Sequence, residues 1–390
     1  MKIPACKIVF TDEEIDIALD KIAHVLESGQ MILGDYTKAF EEEYAKAHDR
    51  KYGVAVASDT AGIEILLRYY DIGKGDKVLF PANGFFGIVI PILRCGAEPV
   101  FVDMLWGQNL YADEEMVAEA LDKDPSIKAV ILMHTGGLVA ARSREISNLC
   151  KERNVICIED AAHAPGAKFN GEYAGSFGDA SVFSLYATKP INAGEGGMIL
   201  TDDENTANWA KVYRNYGRKS EFGSGVHVVE GYSWRLTEIQ AVIGLGQLKR
   251  QDAIREERQK IADTYDSLVG KLENLGVYTY KPRKLTQPNH YRYLMLLPDH
   301  WTKSLKDKMR EHLKENYDVD LPGDVYEMLA HEQRVWKGRF RDERFPISTE
   351  WSARHFSLPI YNTLTAEEQK YVVDSVYKSV KKIGEIADGR

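Results

Sequence analysis

Only four cysteines occur in 390 residues, no apolar run approaches the ~18 residues of a membrane span, and positive charge is in deficit. Each shortage closes off a class of function. With 50 Lys plus Arg against 59 Asp plus Glu the formal net charge is −9. That argues against sequence-independent nucleic-acid binding and against docking on an anionic membrane, because both need clustered cations. Cys6, Cys95, Cys150 and Cys157 show no metal-ligand spacing, and Cys157 sits in an apolar run, so they read as reduced packing residues. Neither a disulfide framework nor a metal site is expected. The opening MKIPACKIVFTDEE lacks the apolar core of a secretion signal, which makes the cytoplasm the expected compartment.

What is present is an ordinary globular balance, 44% hydrophobic and 28% charged. The length exceeds the ~250–300 residues at which a single core stops growing. Thr11 and Glu14 form a capping-box pattern ahead of Ile15, Leu19, Ile22 and Leu26, and Gly29 can end that helix. A second helical pattern runs from Tyr36 to about Ala47. Short apolar runs then alternate with helical ones: YGVAVAS, DKVLFPA, EPVFVDM, KAVILMHTGG, VICIEDAAH and ASVFSLYATK. This predicts parallel strands joined by helices and covered on both faces. Beyond Gly231, Thr237 and Gln240 open one long helical pattern toward Leu268, followed by the strand-like GVYTYKP and YRYLMLLP and by helical patterns at Lys303 to Asn316 and Ala366 to Ile383. The expected division is a large α/β domain over 1–245 and a smaller α+β domain with the connecting helix over 246–390.

Several positions could carry chemistry. VICIED delivers Glu159 and Asp160 at a strand's C-terminal end, where open α/β sheets place ligands. An acidic helix cap would look the same. SVFSLYATKP ends in Lys189 beside the loop GEGG, which suits either a Schiff-base lysine or a solvated one. Ser58, Asp59 and Thr60 start a helix, where free N–H groups favour an anion or where the side chains merely cap. Ser184 offers another hydroxyl, and Phe85 and Phe86 follow the strand VLFPA as ring neighbours or core aromatics. Together these are the parts of a pyridoxal phosphate (PLP) site: an amine, an acid for the ring nitrogen, a ring neighbour and a phosphate cradle. His134 is assigned to packing.

The runs EDAAHAPGA, GSFGDASVFSLYATKPINAGEGGMILTDD, YRNYGR and EGYSWRLTEIQAVIGLGQL, in that order, resemble the DegT/DnrJ/EryC1/StrS family of PLP-dependent sugar aminotransferases. The resemblance extends from SGQMILGDYTKAFEEEYA to LPIYNTLTAEEQKYVV. It implies a fold-type I PLP enzyme, a homodimer with shared active sites, and amino transfer from a donor, L-glutamate, to a keto sugar. Lys189 would form the internal aldimine and shuttle the proton, Asp160 would pair with the pyridine nitrogen, and His163 would contact the phenolic oxygen. Phe85 matches the ring-stacking aromatic, and Ser184 and Thr60 match phosphate contacts. Members that act as dehydratases carry histidine at the lysine position, so Lys189 favours transamination. A nucleotide-linked keto sugar is the leading substrate class, with an inosose-type cyclitol ketone as alternative and a non-transaminating or regulatory PLP protein as a third reading.

Two departures stand out. Where the family has Ser-Gly-Thr this chain has Ser58-Asp59-Thr60, which puts a carboxylate near a dianion; the expectation is that the Asp59 side chain points away while its N–H points in. In GYSWR, Ser233 replaces an asparagine that in many members reaches the partner subunit's phosphate. Arg235 keeps its position as a substrate contact or a structural salt-bridge residue. His227 matches a histidine near the substrate mouth or is a surface residue, and Arg214, Asn215 and Arg218 suit an anion or are solvated loop groups.

Overall fold

A computed structural model of the chain describes residues 1–219, 225–340 and 342–387. In chain order the strands are β1 (Tyr52–Val56), β2 (Lys77–Pro81), β3 (Glu98–Val102), β4 (Ile127–Met133), β5 (Ile156–Asp160), β6 (Lys168–Phe169), β7 (Glu172–Tyr173), β8 (Ala180–Ser184), β9 (Gly197–Thr201), β10 (Tyr278–Thr279), β11 (Thr286–Gln287), β12 (Tyr293–Leu296) and β13 (His355–Leu358). Seven of them form the central sheet in the order β1-β9-β8-β5-β4-β2-β3. Neighbours pair in parallel from β3 through β8, and β9 runs antiparallel to both β8 and β1. The mostly parallel sheet follows from the repeated strand–helix alternation. β9 reverses because the segment between β8 and β9 contains no helix, so the chain returns directly beside the strand it left.

The strands β8 and β9 are buried at every position, as expected of a sheet covered on both faces. Each Val, Leu or Ile fully buried there contributes about 1.5–3 kcal/mol. A second cluster of buried side chains, including Tyr265, Met295, Met309, Phe356 and Val376, surrounds the three-stranded sheet β10-β12-β13. The long helical pattern after Thr237 divides into Glu238–Lys249 and Gln251–Leu268. The break falls at Arg250, which leaves helical ψ and whose guanidinium binds Glu14 at 2.6 Å and Glu257 at 3.3 Å. The strand β13, His355–Leu358, alternates polar and apolar residues over only four positions, too short a run to stand out in sequence.

The first helix, Asp12–Ser28, has both capping-box hydrogen bonds, and Gly29 ends it at φ 70°. Its apolar stripe is nonetheless left open in the single chain, with Ile15, Leu19 and Leu26 exposed, and Val25 is the buried residue of the helix. Among the described residues no helix is long and apolar enough to cross a membrane.

One buried ion pair braces the sheet edge. Arg214 at the end of the helix Glu204–Tyr213 donates to Glu41 and, at 2.6 Å, to the Ala55 carbonyl, while Glu41 accepts the Ala55 N–H at 2.9 Å. Arg214 is 1% exposed, so the reading of a solvated loop charge is overturned. Removing one member of such a pair strands the other charge away from water. Arg214→Met is therefore expected to lower stability by about 3–5 kcal/mol, read as a lower urea midpoint, and the double variant Arg214→Met with Glu41→Leu should recover much of the loss.

Candidate active site

Side chains alternate faces along a strand, so the adjacent acids that end β5 have different surroundings. Glu159 accepts the N–H groups of Gly175 at 2.8 Å, Phe177 at 2.7 Å and Gly178 at 2.7 Å, and meets His134 Nε2 at 2.8 Å. Burial alone would raise its pKa; the hydrogen bond from His134, with Arg50 and the backbone, holds it below the usual value. His134 Nδ1 accepts from Ala140 N–H, which leaves its Nε2–H to donate to Glu159, in keeping with a packing role. Among the described residues the Asp160 carboxylate accepts only the Ala162 N–H, at 3.0 Å, and burial pushes its carboxyl above the ordinary range. It is the acid left available to a ligand.

Asp160 lines a cavity of about 470 Å³ together with Ser58, Asp59, Thr60, Phe85, His163, Ser184 and Lys189. These eight positions thus converge, although 131 residues separate the first from the last in sequence. Lys189 follows β8, is 8% exposed, and places Nζ 4.9 Å from the centroid of the Tyr291 ring. Burial lowers its pKa against the opposing pull of Tyr291, Asp59 and Asp160, so the amine loses its proton more readily than a surface lysine.

Another part of the wall is a helix N-terminus. The helix Asp59–Tyr69 is capped by Ser58 Oγ, which accepts the Ala61 N–H at 3.1 Å. Its first-turn amides and the helix dipole favour an anion. Gly197 packs against this turn; a Cβ there would lie 2.5 Å from the Ser58 carbonyl carbon and 2.7 Å from the Asp59 nitrogen, so only glycine lets β9 approach. Ser184 Oγ accepts the Tyr186 N–H at 3.3 Å, and Thr60 Oγ1 donates to the Gly87 carbonyl at 3.3 Å.

Asp59 departs from expectation. Its side chain is buried in the cavity instead of pointing away, with Oδ1 lacking a hydrogen-bond partner. Burial first, and then the neighbouring Asp160, raise its pKa well above the carboxylate range, against the pull of Lys189. Position N1 of a helix directs a side chain back over the turn that precedes it, which here is the cavity wall.

Among the lining residues not singled out in the sequence are Tyr291, Arg292 and Tyr326. Tyr326 stacks on Phe85 with centroids 5.4 Å apart, and its OH lies 3.2 Å from His163 Nε2. His163 Nδ1 accepts the Gly136 N–H at 3.2 Å, so its proton sits on Nε2 and the tyrosine oxygen accepts it. Burial, then Lys189 and Arg292, keep this histidine neutral. The arginine inside the otherwise apolar YRYLMLLP was a readable signal for Arg292, whereas nothing local marked Tyr326.

Ser233, Arg235, Arg218 and His227 do not line this cavity. Arg235 donates to Asn215 Oδ1 at 2.8 Å and to Ser233 Oγ at 2.7 Å, and Arg218 bridges His227 on an outer segment where His227 Nδ1 meets the Tyr216 carbonyl at 2.7 Å. Chemically, the cavity offers a poised amine, a buried acid, a half-exposed aromatic face on Phe85 and an anion-binding helix end. That set fits a flat, cationic aromatic ring carrying a phosphate and a carbonyl.

Residues 12–377 match the DegT/DnrJ/EryC1/StrS aminotransferase family. The chain is 32% identical over 356 residues to a pleiotropic regulatory protein of Geobacillus stearothermophilus, covering 90% of this chain and 91% of that protein. It is 31% identical over 372 residues to the dTDP-3-amino-3,4,6-trideoxy-alpha-D-glucose transaminase of Micromonospora megalomicea subsp. nigra, covering 93% and 94% of the two. A putative sugar aminotransferase of Streptococcus pneumoniae, solved in its PMP form, superposes with a TM-score of 0.89 at 21% identity over the full length of both chains. At that identity the likeness is one of fold.

The inward carboxyl of Asp59 has a measurable consequence. Its folded pKa lies above the unfolded value, so its ionisation penalises the fold at high pH and the penalty fades as pH falls through the folded pKa. Asp59→Asn should stabilise the ligand-free chain by about 1–3 kcal/mol at pH 8, with the gain shrinking on acidification. Urea unfolding at pH 8 and pH 5 checks both statements; a side chain pointing away would give no gain at either.

Proposed function

The chain belongs to the DegT/DnrJ/EryC1/StrS aminotransferase family, and from that premise we propose that it uses pyridoxal phosphate to move an amino group from L-glutamate to a nucleotide-linked keto sugar. The observation that carries the reading is the buried Lys189 amine in one cavity with Asp160, a helix N-terminus and the open face of Phe85. The named activities of relatives support the substrate class, since the Micromonospora protein is a transaminase of a dTDP-linked sugar.

In this reading Asp160 holds the protonated ring nitrogen, the Ser58–Thr60 turn and Ser184 hold the phosphate, and Phe85 covers one ring face. When bound, the cofactor supplies an electron sink for the carbon from which a proton is removed. Lys189 Nζ does the proton work: burial favours its neutral form, which takes a proton from the donor's α-carbon and returns one on the way to product. Tyr326 and Phe85 exclude water from one side, and neutral His163 donates through Nε2 while its ring is held by Gly136. Ketone acceptors run the same proton transfers in reverse, which requires ping-pong kinetics.

A homodimer with shared sites belongs to the same proposal. The exposed stripe Ile15, Leu19 and Leu26 offers an apolar surface for a second copy, and in this reading Ser233, His227, Arg218 and Arg235, which do not line their own chain's cavity, belong to the partner's site.

The visible spectrum of the PLP-loaded protein tests the reading. L-Glutamate should bleach the cofactor band and one nucleotide-linked keto sugar should restore it; restoration by an inosose alone would name the cyclitol class instead. A band unmoved by any amino acid would leave a non-transaminating PLP protein, the role suggested by the name of the Geobacillus relative. Lys189→Ala should lower turnover by about 100- to 10,000-fold while the protein still binds cofactor.

A further inference from the structure

Arg292, in the cavity wall, is a cation without a counter-ion among the described residues. It immediately precedes β12, where its N–H donates to the Gly136 carbonyl at 3.1 Å. The guanidinium carbon lies 4.1 Å from the centroid of the Tyr291 ring and Nη2 donates to Tyr291 OH at 3.2 Å. Its Nε is buried with no acceptor, a feature Arg258 shares, and among the described residues no carboxylate stands within 4.0 Å. The contrast with other arginines is instructive. Arg214 pairs with Glu41 and Arg310 with Asp324, while Arg258, which has no carboxylate, is committed to the carbonyls of His290 and Ile360. Only Arg292 of these four faces the cavity.

A half-buried guanidinium left short of an acceptor is costly unless an anion completes it. The phosphate end of the cavity lies at the Ser58–Thr60 turn and the ring-nitrogen acid is Asp160, so both cofactor anchors are supplied by other residues. Arg292 instead shares the Tyr291 ring with the reacting amine, Lys189 Nζ standing 4.9 Å and Arg292 Cζ 4.1 Å from the one centroid. An α-amino acid presents its carboxylate one carbon away from the amine that must meet Lys189. The planar fork of arginine matches a carboxylate with two parallel hydrogen bonds. Building on the transamination reading above, we propose that Arg292 is the receptor for the α-carboxylate of the amino donor, with Tyr291 holding its guanidinium in place.

The test uses the PLP-loaded protein, its Arg292→Gln and Arg292→Lys variants, and three probes: L-glutamate, glutarate and 4-aminobutyrate. Glutarate carries carboxylates and no amine; 4-aminobutyrate has an amine with no α-carboxylate. Expected in Arg292→Gln are a rise of about 10- to 100-fold in the L-glutamate concentration that half-bleaches the cofactor band, an unchanged response to 4-aminobutyrate, and loss of the thermal-midpoint shift that glutarate gives the parent. Arg292→Lys, which keeps the charge without the fork, should recover part of the binding. The assignment is overturned by an L-glutamate response within threefold of the parent, by equal losses with L-glutamate and 4-aminobutyrate, by release of cofactor on dialysis, or by a parent that glutarate does not stabilise. If glutarate protects the parent and not the glutamine variant while no ketone restores the band, the acceptor half of the proposed function fails and the carboxylate site stands.

Discussion

Burying two neighbouring carboxylates at one strand end is the constraint around which this protein is arranged. An ionised acid taken out of water must find donors or a counter-charge. Glu159 is fully met by three backbone N–H groups and by His134, which ties the loop Gly175–Gly178 to the sheet. Asp160, one residue on and facing the other way, is left with a single backbone donor and the cavity. The first acid builds the scaffold and the second is kept for a ligand, and the division follows from the two-residue period of a strand.

The cavity sets two buried carboxyls, Asp160 and the inward Asp59, whose pKa values burial raises, beside two basic groups. Those groups, Lys189 and Arg292, both lean on the electron-rich face of the Tyr291 ring. Tyr291 shows the result: burial would raise its phenol, yet Lys189 and Arg292 beside it draw the pKa below the ordinary value. Such a mutually biased set of groups is the physical condition for an amine that gives up its proton more readily than a surface lysine.

Placement of the second half of the chain decides how enclosed this chemistry is. Tyr326 is carried to Phe85 by a segment whose Asp324 is buried against Lys306 Nζ at 2.6 Å and against Arg310. His355 Nε2 accepts the Val325 N–H at 2.7 Å, adding a second tether. The ion pair is remote from the reacting amine in sequence and in role, and it fixes the tyrosine that closes one side of the cavity.

By itself the sequence determined the strand–helix alternation, and hence a mostly parallel sheet whose C-terminal edge gathers Ser58–Thr60, Phe85, Asp160, His163, Ser184 and Lys189. It did so because apolar periodicity and capping residues are local, and because ligands collect at that edge of such sheets. Only the tertiary structure decided the reversal of β9, the inward turn of Asp59, the burial of Arg214 beneath Glu41, and the arrival of Tyr291, Arg292 and Tyr326 over the site. These depend on which distant surfaces meet: a side chain's protonation and partners are set by neighbours more than a hundred residues away, and no local pattern encodes that distance.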